Sequence, residues 1–343
     1  MVNLCSASQE LFRRHPDECF DSLLELGDHC RLRREASLDR WHAPAEISAI
    51  SNSVSRLQFA IGGETTFGMN EWSFGQLCRL AGVSKDTVNR LTSETASRIF
   101  AETLPRGGNK PLQLFTEGEM LRSIHGTSYT RVYDADLVAL LREFAVDFQP
   151  PLKGFNGATG LYCGEQDMFC FLIDPAGWTE IDGEAFAPGF FLWNSEVGRR
   201  SIGIQTFWFQ AICQNHIVWD AVEVADFTRK HTANVHESLG EMRRAIEMLV
   251  AKRDERRDGF ARVVAKAMRE KLGDDADEVL KLLLKHGINR SSAKRALEIA
   301  ERQGRFTIFA LVDALTRIAG EITLAGDRTE ADAKASSLFA LAV

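Results

Sequence analysis

The strongest constraint on this fold is a change of apolar period in the second half of the chain. The segments LYCGEQDMFCFLIDP and GFFLWNSEVGRRSIGIQTFWFQAICQNHIVW are dense in Phe, Trp and Ile at the two-residue spacing of strands. At least three strands are therefore expected between Leu161 and Trp219. Between two of them, SEVGRRS reads as a hairpin turn, with Gly198 supplying a positive φ. From Thr232 the spacing becomes helical, with Val235, Leu239, Met242, Ile246 and Leu249 on one face. Phe260, Val263, Val264, Ala267 and Met268 resume that face after a polar patch. One long helix, or two in line, is expected over 232–272, and its apolar stripe suits a homo-oligomer seam.

The first half is less regular. Residues 1–45 read as a helical, Arg-bearing arm. Residues 52–63 read as a strand ending at Gly62-Gly63, and 70–104 as helices. An extended segment, a turn and a helix follow, the helix capped by Asp134 and buried through Leu137, Val138, Leu140, Leu141 and Phe144. Residues 148–160 form a Pro/Gly loop. The expected class is α+β: a helical N-terminal layer, a central mostly antiparallel sheet and a helical C-terminal region. The expected divisions are an arm at 1–45, an α+β core domain at 46–235 and a helical region at 236–343.

LCRLAGVSKDTVNRL (77–91) has the wording of a helix-turn-helix. Gly82 suits a helix stop, Ser84 an N-cap, and Val88 and Leu91 an apolar side. The exposed set Lys85, Asp86, Asn89 and Arg90 mixes an acid with two bases, whereas a duplex reader carries a basic footprint. A plain helical hairpin is the expectation. HGINRSSAKRAL (286–297) repeats the layout with Gly287, Asn289 and Arg295.

Net charge is −7, which excludes a strongly basic coat. Its distribution is uneven: residues 224–305 hold 19 Lys/Arg and 14 Asp/Glu, leaving 22 and 34 elsewhere. An acidic body with basic segments can bind a polyanion locally. A further basic cluster comprises Arg31, Arg33, Arg34 and Arg40. The 7 cysteines include no C-x-x-C pair, so neither a disulfide framework nor a zinc site follows. Free thiols, no secretory-type start and no long apolar run make a cytoplasmic protein without a membrane span the expectation.

No Walker loop, dinucleotide fingerprint, H-E-x-x-H or G-x-S-x-G occurs. Cys213 with His216, His231 and Asp220 is a conceivable thiol–imidazole set, although a buried structural thiol is the simpler reading of Cys213. Asp167, Asp174, Asp182 and Glu184 read as loop acids rather than metal ligands. No catalytic residue, metal or cofactor is therefore assigned.

Four segments resemble one family. FGQLCRLAGVSKDTVNRL is similar to its helix pair, with Val83 where proline often follows the glycine. LRSIHGTSYTRVYDADLVALL is similar to a second segment through Arg122, Ser128, Tyr129 or Tyr133, and Asp134 or Asp136. Asn194-Ser195 before a glycine turn, then Cys213-Gln214-Asn215, resemble its strand pair. FTRKHTANVHESL, with His231-Thr232, resembles the segment opening its long helix. The chain thus resembles, over about 60–320, the phage- and plasmid-like domain-of-unknown-function family nine-three-two. The resemblance implies a mobile-element setting and no established activity.

The expected function is non-enzymatic nucleic-acid binding, with single-stranded DNA favoured as partner. The order strand, strand, strand, long helix resembles the core of single-strand annealing recombinases at the level of topology. Such proteins hold phosphates with Lys/Arg and stack bases on aromatics. The candidate contacts are Arg122, Tyr129, Arg131, Arg199, Arg200, Arg229, Lys230 and His231. Trp193, Trp208 and Trp219 suit sheet core or stacking. The alternatives are an oligomeric interaction protein and an enzyme with an unfamiliar site. Asn194 and Asn215 are read as structural, bonding local backbone.

Overall fold

The computed structural model of the protein describes residues 11–52, 54, 56–63, 65–105, 110–151, 160–210, 215–218, 226–302 and 306–342. Its first half runs β1 (Glu18–Cys19), α1 (Leu23–Glu35), β2 (Ser37–His42), β3 (Ile47–Ser51), β4 (Leu57–Ile61) and β5 (Thr65–Met69). Then come α2 (Glu71–Ala81), α3 (Lys85–Val88), α4 (Ser93–Thr103), β6 (Leu112–Glu117), β7 (Met120–His125) and α5 (Asp134–Phe144).

These strands make a six-stranded sheet in the order β2-β6-β7-β5-β4-β3, antiparallel except for the β5–β7 pair. The N-terminal layer is thus sheet and helix, not helix alone. Nor do residues 11–45 form an arm. Ser22 caps α1 by accepting from Glu25 N, and the helix buries Leu26 and Cys30 in one core with α5. Next in sequence, β2 pairs with β6 some seventy residues on, from Ser37–Glu117 to His42–Leu112. The strand escapes a sequence reading because Leu38 and Trp41 are half exposed, so no in-out alternation marks it.

The helix-turn-helix wording resolves as local capping. Gly82 ends α2 at φ 68°, and the Ser84 hydroxyl accepts from Thr87 N. The second helix, α3, is a single turn of 4 residues, too short to lie along a major groove. Lys85 pairs with Glu71, and Val88 is buried. The echo at 286–297 forms a longer helix, with Asn289 Oδ1 accepting from Ser292 N.

The central sheet contains β8 (Leu161–Cys163), β9 (Met168–Ile173), β10 (Thr179–Ile181), β11 (Glu184–Asn194), β12 (Ile202–Gln210), β13 (Asn215–Ile217) and β14 (Asp226–Arg229). It is antiparallel, in the order β1-β8-β9-β11-β12-β13, with β10 on β11 and β14 on β12. Both faces are covered, which explains the near-continuous apolar runs. Cys170, Leu172, Phe190, Leu192, Ile202 and Ile204 share one core with α5. Phe169, Phe171, Phe191, Phe207 and Phe209 pack on the other face.

The remaining helices are α6 (Glu237–Ala251), α7 (Arg253–Ala267), α8 (Ala276–Lys285), α9 (Arg290–Arg302), α10 (Ile308–Ala319) and α11 (Ala325–Ser336). The long helical pattern is two helices joined at Lys252, whose ψ of 17° breaks the geometry. Its stripe faces inward. Val235, Met242, Ile246 and Leu249 are buried on the central sheet, and Phe260 stacks on Trp208 with ring centroids 3.9 Å apart. Each such side chain gains about 1.5–3 kcal/mol from burial. The chain's own sheet therefore takes the apolar face that the spacing offered to a partner.

Candidate functional site

The turn between β11 and β12 is where the two halves of the protein meet. Asn194 ends β11 and is fully buried; its Nδ2 donates to Val132 O at 2.9 Å and to Asp134 Oδ1 at 2.8 Å. The residue is structural, as expected, but its partners are 60 and 62 residues away rather than local. Ser195 Oγ donates to Gln166 O and accepts from Arg199 N. Trp72 Nε1, on α2, donates to Val197 O at 2.8 Å. Gly198 has φ 70°, and a Cβ there would lie 2.7 Å from His125 Cε1 and 3.0 Å from Tyr129 Cε2.

Glu196 is the charged centre of this turn. Its carboxylate accepts from Arg122 Nη1 at 2.5 Å and from Asp134 N at 3.0 Å. Burial works against its charge, but Arg122 and Arg33 and the two donors hold its pKa below the usual range. Asp134 has the opposite fate. Burial, reinforced by the Glu196 charge, pushes its carboxyl well above the usual range. It is the first residue of α5 rather than its cap, which is Tyr133.

Around Glu196 the structure gathers four of the eight candidate contacts. Arg122 is buried and also reaches Glu117 at 3.2 Å. Arg131 lies over the Phe115 ring, bonds Asp39 at 2.8 Å and donates to Glu196 O. The Tyr129 hydroxyl donates to the Ser195 and Glu196 carbonyls, and its ring stacks between His125 at 3.7 Å and His231 at 5.3 Å. Burial lowers the pKa of His125 to about 3 and of His231 to about 4, so both rings are neutral. Arg122, Arg131 and Tyr129 find their partners inside the protein, whereas His125 Nε2 and both ring nitrogens of His231 are buried without a hydrogen-bond partner among the described residues. Glu196, His125 and Trp72 were not singled out from sequence, because a turn acid and two isolated rings carry no pattern.

The other four candidates lie at one end of the central sheet. The register Ile202–Arg229 between β12 and β14 sets Arg229 and Lys230 beside the 199–201 turn. Arg200 is held by Asp167 at 2.9 Å, Glu330 at 2.5 Å and Asp327 at 3.4 Å. Arg229 pairs with Glu241 at 3.0 Å. Arg199 and Lys230 are exposed, and neither has a carboxylate partner among the described residues.

Arg199 and Arg200 line a cleft of about 360 Å3 whose floor is Phe169, Phe191 and Trp193 and whose far wall is α11, through Gly326, Thr329 and Ala333. Trp193 is half-buried, with its centroid 5.4 Å from Phe191 and 6.5 Å from Phe169. Of the other tryptophans named from sequence, Trp208 is core and Trp219 lies outside the described residues.

The thiol–imidazole set is not assembled within the described residues: Cys213 and Asp220 lie outside them. His216 is buried against Phe171, and His231 belongs to the Tyr129 stack. Three of the four loop acids are engaged, with Asp167 on Arg14 and Arg200, Asp174 on Arg253, and Glu184 on Gln210. Among the described residues no cluster of three or more His, Cys, Asp or Glu is arranged to hold a metal. No helix among them is long and apolar enough to cross a membrane. The basic cluster near the N-terminus is also internally engaged: Arg31 with Glu35, Arg33 with Glu117, Arg34 with Asp136, and Arg40 over Phe67.

No curated protein and no solved structure matches this chain. A family described as a domain of unknown function, DUF932, matches residues 118–337. That span begins after the α2–α3 pair and takes in the Arg122 segment, the Asn194–Gly198 turn and the His231 segment. Since it covers more than half of the sequence, the chain belongs to the DUF932 family.

Proposed function

We propose that the protein binds single-stranded nucleic acid without catalysis, at the cleft beside Trp193. The observation that carries this reading is the half-buried Trp193 ring, backed by the buried Phe169 and Phe191, beside an exposed cation at the cleft mouth. Phe169, Phe191 and Trp193 form the floor, Arg199 stands at the mouth, and Lys230 lies beyond it. A base stacks on an aromatic face whatever its identity, while the cations follow the phosphates. Arg200, neutralised by three carboxylates, shapes the rim rather than meeting phosphate. The arrangement of β9, β11 and β12 with α6 on the opposite face is in keeping with the strand-and-helix analogy drawn from the sequence. A mobile-element setting is part of the same proposal and rests on the resemblance alone.

Fluorescence anisotropy with labelled single- and double-stranded DNA and RNA, titrated at low and then physiological salt, tests it. Single strands should bind preferentially, with affinity falling steeply with salt. Trp193→Ala should cost about 1–3 kcal/mol per lost stack. Arg199→Ala with Lys230→Ala should lower the salt slope by about one unit per cation lost. Absence of binding at low salt, or binding to duplex alone, overturns the reading.

A further inference from the structure

A second cavity, of about 570 Å3, opens on the other side of the Glu196 turn, between the two sheets. Its lining includes His29, Arg33, Glu117, Arg122, Cys163 and Glu165. Cys163 ends β8, and α1 packs across that strand. On α1, Arg33 lies three residues after Cys30 and four after His29, the spacings that make helix side chains neighbours. Arg33 Nη1 stands 3.1 Å from Cys163 Sγ, and the same nitrogen donates to Gly164 O at 3.1 Å. Cys30 and Cys163 are both buried in one core cluster, and neither is in a disulfide.

We propose that Cys163 is a peroxide-reactive thiolate in this cavity and that Cys30 is the thiol that resolves its oxidation product. A guanidinium on the sulfur, an imidazole beside it, a neighbouring thiol and an open cavity are the parts such a site needs. The electrostatics agree. The Cys30 thiol, Arg33 and His29 hold the Cys163 thiol well below its usual range against the opposing effect of burial. In return, the Cys163 contact and burial push Cys30 up. The other described cysteines lack this setting. Burial raises Cys78 to about 12 and pushes Cys170 up, and Cys19 is an exposed surface thiol.

The chemistry balances with hydrogen peroxide as oxidant. The Cys163 thiolate attacks one peroxide oxygen and the O–O bond breaks. Sulfur is oxidised by two electrons to sulfenic acid, and the departing hydroxide takes a proton from solvent to leave as water. Cys30 sulfur then attacks Cys163 sulfur, the S–O bond breaks, and the Cys30 proton leaves with that oxygen as a second water. The product is a disulfide that ties α1 to β8.

The test is to treat the intact protein with stoichiometric hydrogen peroxide and map its 7 cysteines by mass spectrometry under non-reducing conditions. A Cys30–Cys163 cross-link should form, and Cys163 should react about tenfold or more faster than the exposed thiol of Cys19. Cys30→Ser should stop the reaction at Cys163 sulfenic acid, which a dimedone probe traps. Arg33→Gln should slow oxidation of Cys163 about tenfold, and Arg33→Lys should restore part of the rate. Oxidation of Cys163 no faster than Cys19, or a disulfide to any other cysteine, overturns the proposal. Because the first measurement uses the unaltered chain, a variant that fails to fold leaves it decisive.

Discussion

Arg122 Nη1 and Glu196 Oε2 meet 2.5 Å apart, each side chain no more than 5% exposed, and join the last long strand of the N-terminal sheet to the main turn of the central sheet. Removing one member of a buried pair leaves the other charge without compensation. Arg122→Met or Glu196→Gln alone should therefore cost about 3–5 kcal/mol of stability. The double variant should cost clearly less than the sum, because no charge is left stranded. Urea unfolding of the four proteins closes the cycle. Additive losses would mean that the two side chains do not depend on each other.

Gly198→Ala tests the turn itself. At φ 70° an alanine is strained, and its Cβ would press on the His125 and Tyr129 rings. A loss of about 1–3 kcal/mol is expected. Near-ultraviolet circular dichroism should change with it if the Tyr129 ring is displaced. An unchanged spectrum with unchanged stability would show that the turn has room to move.

The His125–Tyr129–His231 stack makes the protein sensitive to acid. His231 has a folded pKa of about 4 against the ordinary 6.5, because burial disfavours its charged form. Between those values the unfolded chain takes up a proton that the folded one refuses. The contribution to stability is therefore full above pH 6.5 and falls as pH drops towards 4. His231→Phe keeps a ring in the stack and removes the titration. The loss of stability between pH 7 and pH 5 should be smaller in the variant by about 2 kcal/mol, read from urea midpoints at the two pH values. Equal losses would show that His231 does not titrate in this way.

Much of the fold was legible where side-chain period and burial agree. The Phe- and Trp-rich strands, the Gly62-Gly63 and Gly198 turns, the capped α2 and the 3–4 spacing of α6 all follow from local pattern. The strands β2 and β3 were missed because their pairing partners are distant or their alternation is weak. For the candidate site, sequence named the cations but not their duties. Arg122 and Arg199 look alike as letters; one is locked to Glu196 in the interior and the other stands exposed at a cleft.

By itself, then, the sequence determined the α+β class, the order of most elements, the central antiparallel sheet and the family resemblance, because these depend on periodicity, turn chemistry and short motifs. Only the tertiary structure decided that α6 and α7 spend their apolar faces on the chain's own sheet. It alone set four candidate contacts around Glu196 as a buried joint, left Arg199 and Lys230 exposed at the sheet end, and brought Cys30 and His29 to Cys163. Each of these outcomes turns on which surface meets which across long stretches of chain. Desolvation and charge pairing act on that meeting, and no local pattern encodes it.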